Sequence, residues 1–273
     1  MCSRMSVIWN NGRWVNEDAE VFSIADRIRL GDGVFDTMLC VDGQPCHAEK
    51  HFIRLLEGAA VLGIDWGIDL PEFMNLAAQL IQKNVNATKG RFALNTVLSR
   101  GEGDRGLSVP QEPKPHAVMR LTPVPQVFPP VRGCFASTVY RNEGSPLSRI
   151  KSCNYGDNIL ALREASAKGF DDAVLLNNAG HVTCTTMGNI FALRSGRLYT
   201  PPLRDGVLNG VARQIMCARY DVLEQSMTKE NLLDADEVFL TNSIRGAVFF
   251  KALEGKTLGE NSLGIDKDFH VSS

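Results

Sequence analysis

Ser148-Arg-Ile-Lys-Ser-Cys-Asn-Tyr155 is the stretch on which the fold turns, because a distant segment is suited to hold an anion near its lysine, Lys151. That segment, Thr200-Pro-Pro-Leu-Arg-Asp-Gly-Val-Leu-Asn-Gly-Val-Ala-Arg213, runs from an Asn-Gly turn straight into an apolar-periodic helix. The first N–H groups of a helix have no partner inside it, and the helix dipole adds positive charge at the same end. Asn209-Gly210 also reads as an ordinary helix-opening turn. A desolvated amine beside an anchored phosphate suits chemistry in which a lysine condenses with a phosphate-bearing carbonyl compound.

Further motifs share this order along the chain. They are Gly31-Asp-Gly-Val-Phe-Asp-Thr37, His51-Phe-Ile-Arg-Leu55, Gly169-Phe-Asp-Asp-Ala-Val-Leu-Leu176, Gly188-Asn-Ile-Phe191 and Thr200-Pro-Pro-Leu203. Together with Lys151, Asn154 and Tyr155 they make the chain, over roughly residues 6 to 250, resemble the fold-type IV pyridoxal phosphate enzymes. That family holds branched-chain and D-amino acid aminotransferases and 4-amino-4-deoxychorismate lyases. The resemblance implies an α+β chain with a small N-terminal domain and a larger β-rich pseudo-barrel domain with outer helices. It also implies bound pyridoxal 5'-phosphate, a small-molecule amine substrate and a homodimer.

Residue by residue, the resemblance makes Lys151 the Schiff-base lysine and Arg54 the guanidinium on the cofactor phosphate. Val211 and Ala212 match the backbone N–H donors to that phosphate. Ser243, in Leu240-Thr-Asn-Ser-Ile-Arg-Gly246, matches a second phosphate contact or is a plain turn. Tyr155 matches a donor to the cofactor's phenolic oxygen. Cys184 departs from the pattern, because the family carries glutamate there, paired with the pyridine nitrogen. A thiol supplies no such charge, which leaves three readings: a weaker electron sink suited to elimination, another acid, or a degenerate enzyme.

Ser99-Arg-Gly-Glu-Gly-Asp-Arg-Gly106 resembles the lyase branch, as does Glu237-Val-Phe-Leu-Thr-Asn-Ser-Ile-Arg-Gly246. Arg29, Arg100, Arg105 and Arg245 are the candidates to bind a dicarboxylate, although loop arginines are commonly solvated. The expectation is a lyase giving 4-aminobenzoate and pyruvate for folate biosynthesis. The alternatives are an aminotransferase of the same fold and a cofactor-binding protein with little turnover.

Composition narrows the classes. At 273 residues there is room for two modest domains, and 44% apolar with 22% charged residues fits a globular protein. A formal charge of −2 gives no long-range attraction to nucleic acid or an anionic membrane, and no apolar run reaches spanning length. Seven scattered cysteines without C-x-x-C spacing point to reduced thiols in the cytoplasm, with no metal site expected.

Four prolines in Leu121–Gly133 mark a connector, so the domains are expected at 1–121 and 133–273 with a linker at 122–132. In the first domain, strands are expected at about 6–9, 91–100 and 116–122, and helices at about 48–62 and 71–84. The second is expected to place strands at about 134–140, 172–177, 189–193 and 237–241, with helices near 155–168 and 211–225. Gly169 sits where a helix would end.

Overall fold

The computed structural model describes residues 7–84, 88–269 and 271. Contacts divide the chain into two compact units: the first runs through Gln126 and takes back Ile150–Cys153, and the second holds Val127–Arg149 and the chain from Asn154 onward.

The first unit contains strands β1 (Val7–Asn10), β2 (Arg13–Asn16), β3 (Gly33–Val41), β4 (Gln44–Pro45), β5 (Arg91–Ser99) and β6 (His116–Pro123). Its helices are α1 (Ala48–Leu62) and α2 (Leu70–Lys83). The strands form one sheet in the order β2-β1-β6-β5-β3-β4. The side chain of Asp69 caps α2 by accepting from the Glu72 N–H at 2.9 Å, and Pro71 fits the first turn, where no N–H is needed. Helical spacing puts Phe73, Ala77, Leu80 and Ile81 of α2 and Phe52, Leu55 and Ala59 of α1 into one core with Met38, Leu94 and Met119 of the sheet. The stacked rings of Phe52 and Phe73, 4.9 Å apart, join the two helices.

The second unit contains β7 (Val131–Phe135), α3 (Gly156–Ala167), β8 (Asp172–Leu176), β9 (Val182–Thr185), β10 (Asn189–Arg194) and β11 (Arg197–Thr200). It continues with α4 (Val211–Arg219), β12 (Val222–Glu224), α5 (Lys229–Leu233), β13 (Glu237–Asn242), β14 (Gly246–Leu253) and β15 (Lys256–Thr257). Six strands close on themselves in the order β10-β13-β14-β7-β8-β9, because β9 returns to β10 through the Cys184–Asn189 pair. Successive strand residues point to opposite faces. Val174, Ile190, Val238, Leu240 and Val248 therefore share one cluster, while Leu175 and Ala173 pack under α3 and Phe191 and Phe239 under α4. The α+β class holds, with a β-rich second unit whose closed strands carry helices outside.

Several local expectations change. The connector shrinks to the residues between Pro123 and Val131, since strands enter the proline-rich stretch from both ends. The strand expected at 134–140 ends at Phe135. Beyond it, the Glu164 carboxylate accepts from the N–H and hydroxyl of both Ser137 and Thr138, drawing the chain off the sheet. The helix expected at 211–225 stops at Arg219, and Val222–Glu224 pairs instead with β11 as a parallel strand. Arg213 reaches forward to Glu224 at 2.6 Å and holds that turn. Gly169, at φ +78°, follows α3 as expected. The 33–41 motif forms one of the two nine-residue strands of its sheet, which the motif reading had not foreseen.

Candidate active site

In the first unit, the four residues Ile150–Cys153 add to β3 along the edge that β4 does not cover. The Phe35 N–H donates to the Lys151 carbonyl at 2.9 Å, and the Cys153 N–H donates to the Gly33 carbonyl at 2.9 Å. Val34 and Ser152 form the antiparallel bridge between these bonds. Backbone pairing therefore fixes the lysine, and its Nζ lies 4.0 Å from the centre of the Phe35 ring.

Beside it lies a buried polar trio from β3 and α1. Asp36 is 5% exposed. Its Oδ1 meets His51 Nδ1 at 2.6 Å, and its Oδ2 accepts from Arg54 Nε at 2.8 Å and lies 2.7 Å from Nη2 in the same ion pair. Burial alone would push the Asp36 carboxyl up, but Arg54 and His51 outweigh it and hold the pKa at about 2. Burial holds His51 below its ordinary value, with Arg54 and Lys151 pushing the same way against Asp36. Arg54 is among the candidates named from the sequence; Asp36 stood inside a quoted motif without a role, and its presence in that motif was the only signal.

A second ion cluster takes up one substrate candidate. Arg100, 4% exposed, donates from Nε to Asp32 Oδ2 at 2.8 Å and from Nη2 to Asp32 Oδ1 at 3.0 Å. It also donates to the carbonyls of Gly63 (2.9 Å) and Leu62 beyond and at the end of α1. The structure thus engages the guanidinium of this candidate substrate arginine with a carboxylate and helix-end carbonyls, as scaffold contacts. Arg27, unforeseen, completes the cluster with a 2.7 Å contact to Asp32 and bonds to the carbonyls of Gly106, Leu107 and Ser108. Arg29 and Arg105 are both exposed, Arg105 in the loop that Arg27 fastens.

In the second unit, α4 opens at Gly210 without a side-chain cap. A Cβ on Gly210 would lie 2.2 Å from Asn189 Oδ1, so the Asn-Gly turn is a packing requirement. Asn189 donates to the Leu208 carbonyl at 2.8 Å and fixes the approach to the helix. Val211 and Ala212 are buried, and among the described residues no hydrogen bond engages either N–H. These groups fit an anion such as a phosphate, as does the edge of Arg54 turned away from Asp36. Asn189 also pairs with Thr241 next to the β13–β14 turn, where Asn242 Oδ1 accepts from the N–H groups of Ile244 and Arg245. Ser243 sits half-buried in that turn, and the Arg245 guanidinium lies 5.1 Å from the Phe128 ring.

Tyr155 is the half-buried residue preceding α3. Cys184 is half-buried on β9 opposite Leu175, on the sheet face that packs under α3, with the Thr183 hydroxyl 3.6 Å from its Sγ. Two residues further, Thr186 donates to a buried acid that sequence reading passed over, Asp172, through its hydroxyl at 2.5 Å and its N–H at 3.1 Å. Burial raises the Asp172 pKa, and among the described residues its Oδ2 has no hydrogen-bond partner. Among the described residues no helix is long and apolar enough to cross a membrane.

The sequence model described as amino-transferase class IV matches residues 33–253. A Methanocaldococcus jannaschii protein named "Putative branched-chain-amino-acid aminotransferase" is 30% identical over 94% of this chain and 91% of its own. An aminodeoxychorismate lyase of Bacillus subtilis is 28% identical over 94% of this chain and 89% of its own. The crystal structure of a Legionella pneumophila protein named "Putative 4-amino-4-deoxychorismate lyase" superimposes with a TM-score of 0.84 at 34% identity, covering 92% of this chain and 94% of that one.

Proposed function

Because the chain belongs to the class IV amino-transferase family, whose members depend on pyridoxal 5'-phosphate, we propose that it is a 4-amino-4-deoxychorismate lyase releasing 4-aminobenzoate and pyruvate. The observation that carries this reading is Cys184. A thiol at the position matched to the ring nitrogen supplies no fixed negative charge, and elimination asks less of the ring because a departing group takes the electrons. The 28% and 34% identities to proteins named for this activity support it.

When bound, the cofactor supplies an electron sink for negative charge at the substrate's amine-bearing carbon. Lys151, held by two backbone bonds to β3, is the amine that carries it and then removes the proton from that carbon as general base. By resemblance Arg54 is the arginine that holds the phosphate, and Val211 and Ala212 match the family's backbone N–H donors. Tyr155 donates to the phenolic oxygen. Ser243 supplies a further phosphate contact, and Arg29, Arg105 and Arg245 remain to face the substrate carboxylates. A cytoplasmic homodimer belongs to the same proposal and rests on the family resemblance.

A second reading, aminotransferase, is favoured by the 30% identity to the Methanocaldococcus protein. One experiment separates the readings. Cofactor-loaded protein is given 4-amino-4-deoxychorismate, scored for pyruvate and 4-aminobenzoate, and separately L- and D-amino acids with 2-oxoglutarate. Equimolar pyruvate and 4-aminobenzoate establish the lyase, and keto acid formation alone replaces it with the aminotransferase. Turnover of neither leaves a binding protein.

A further inference from the structure

We infer that Asp36 is a positioning residue: it orients Arg54 so that one edge of the guanidinium is committed to the protein and the other is left for a phosphate. The inference rests on the reading of Arg54 as the phosphate-holding arginine. Its warrant is the way the two carboxylate oxygens are divided. Oδ2 accepts from Nε of Arg54 at 2.8 Å with Nη2 2.7 Å away, while Oδ1 is occupied by His51 at 2.6 Å.

His51 closes off the alternative arrangement. Its Nδ1 lies 3.3 Å from Arg54 Nη2 as well as 2.6 Å from Asp36 Oδ1. A proton on Nδ1 is required for the shorter contact to a carboxylate, so Nδ1 has no lone pair for Arg54. Arg54 therefore has Asp36 as its anchor within the trio, and rotation of the guanidinium is blocked on the His51 side. Its side chain is only 10% exposed, so little solvent is available to replace the anchor. Both N–H groups on Nη1 remain outside the Asp36 contact.

Charge and geometry make opposite predictions here, which allows a clean test. A carboxylate near a bound phosphate repels it, so an electrostatic role would have Asp36 weaken the cofactor. A positioning role has Asp36 strengthen it, and only for ligands with a phosphate. Apo protein is titrated with pyridoxal phosphate and with pyridoxal, which lacks the phosphate, reading absorbance of the imine; urea unfolding of each apo variant is measured alongside. Asp36→Ala is expected to weaken pyridoxal phosphate roughly tenfold or more while leaving pyridoxal unchanged, the loss of one well-oriented charge-assisted contact. Combined with Arg54→Ala, Asp36→Ala should add nothing. Asp36→Asn keeps the volume and can still accept from Arg54, so it should weaken pyridoxal phosphate by less than Asp36→Ala does, and it remains informative if the alanine variant does not fold. Tighter binding by Asp36→Asn overturns the inference, as does equal weakening of both ligands or a full Asp36→Ala effect without Arg54. If Arg54→Ala itself fails to distinguish the two ligands, the assignment of Arg54 falls, and Asp36 falls with it for that separate reason.

Discussion

Asp36 Oδ1 and His51 Nδ1 meet at 2.6 Å with both residues almost wholly buried, His51 at 2% exposure. The contact joins β3 to α1 and puts a titrating pair at the base of the proposed phosphate clamp.

Acid should weaken the fold through this pair. Asp36 titrates at about 2 in the folded chain against an ordinary 3.8, so the unfolded chain binds more protons between those values. Its contribution, about 2 kcal/mol, is fully present above pH 4 and lost as pH falls through 2. His51, held below 6.5, adds a loss in the same direction that begins as pH drops under 6.5. Urea unfolding across pH should show both limbs. An unchanged acid limb in Asp36→Asn would remove Asp36 from the account.

Reduction of the loaded protein with borohydride, followed by peptide mapping, should place the cofactor on Lys151. Label on any other lysine sinks the assignment.

The arginines should separate by phenotype. Arg100→Ala takes one of its two arginine partners from the half-buried Asp32 and frees the Leu62 and Gly63 carbonyls, and should cost about 1.5–3 kcal/mol of stability. Arg105→Ala, at an exposed site, should stay within about 0.5 kcal/mol and raise KM if it meets substrate. Equal stability losses in the two variants would contradict the scaffold assignment of Arg100.

Gly210→Ala forces a methyl to within 2.2 Å of Asn189 Oδ1, so the turn before α4 must move. A cost of about 1–3 kcal/mol is expected, with weaker cofactor retention. Asn189→Ala in the same chain should recover part of it by making room. No recovery would show that the strain lies elsewhere.

Cys184→Glu should favour protonation of the cofactor's ring nitrogen and raise transamination relative to elimination. Without cofactor, the half-buried carboxylate is unpaired and the apo protein should lose stability, which binding restores. Unchanged half-reactions in fully loaded protein would mean that Cys184 does not face the ring.

Local pattern explains what could be read before folding. The stripe Phe73, Ala77, Leu80, Ile81 and the Asp69 cap are encoded within one helix, and Gly169 within one turn. Failures came where a remote group intervened: Arg213 ends α4 early by reaching Glu224, and Glu164 draws Ser137 and Thr138 off the sheet.

By itself the sequence determined the α+β class, the family and its cofactor, because helical period, caps and ordered motifs are local properties of the chain. Tertiary structure decided the rest. It carried Lys151 into the first unit's sheet, gave Asp36 to Arg54, and buried Arg100 on Asp32 while leaving Arg105 in solvent. The physical reason is distance along the chain. An arginine takes its role from the carboxylates and carbonyls that meet it, and Asp32 reaches Arg100 across 68 residues.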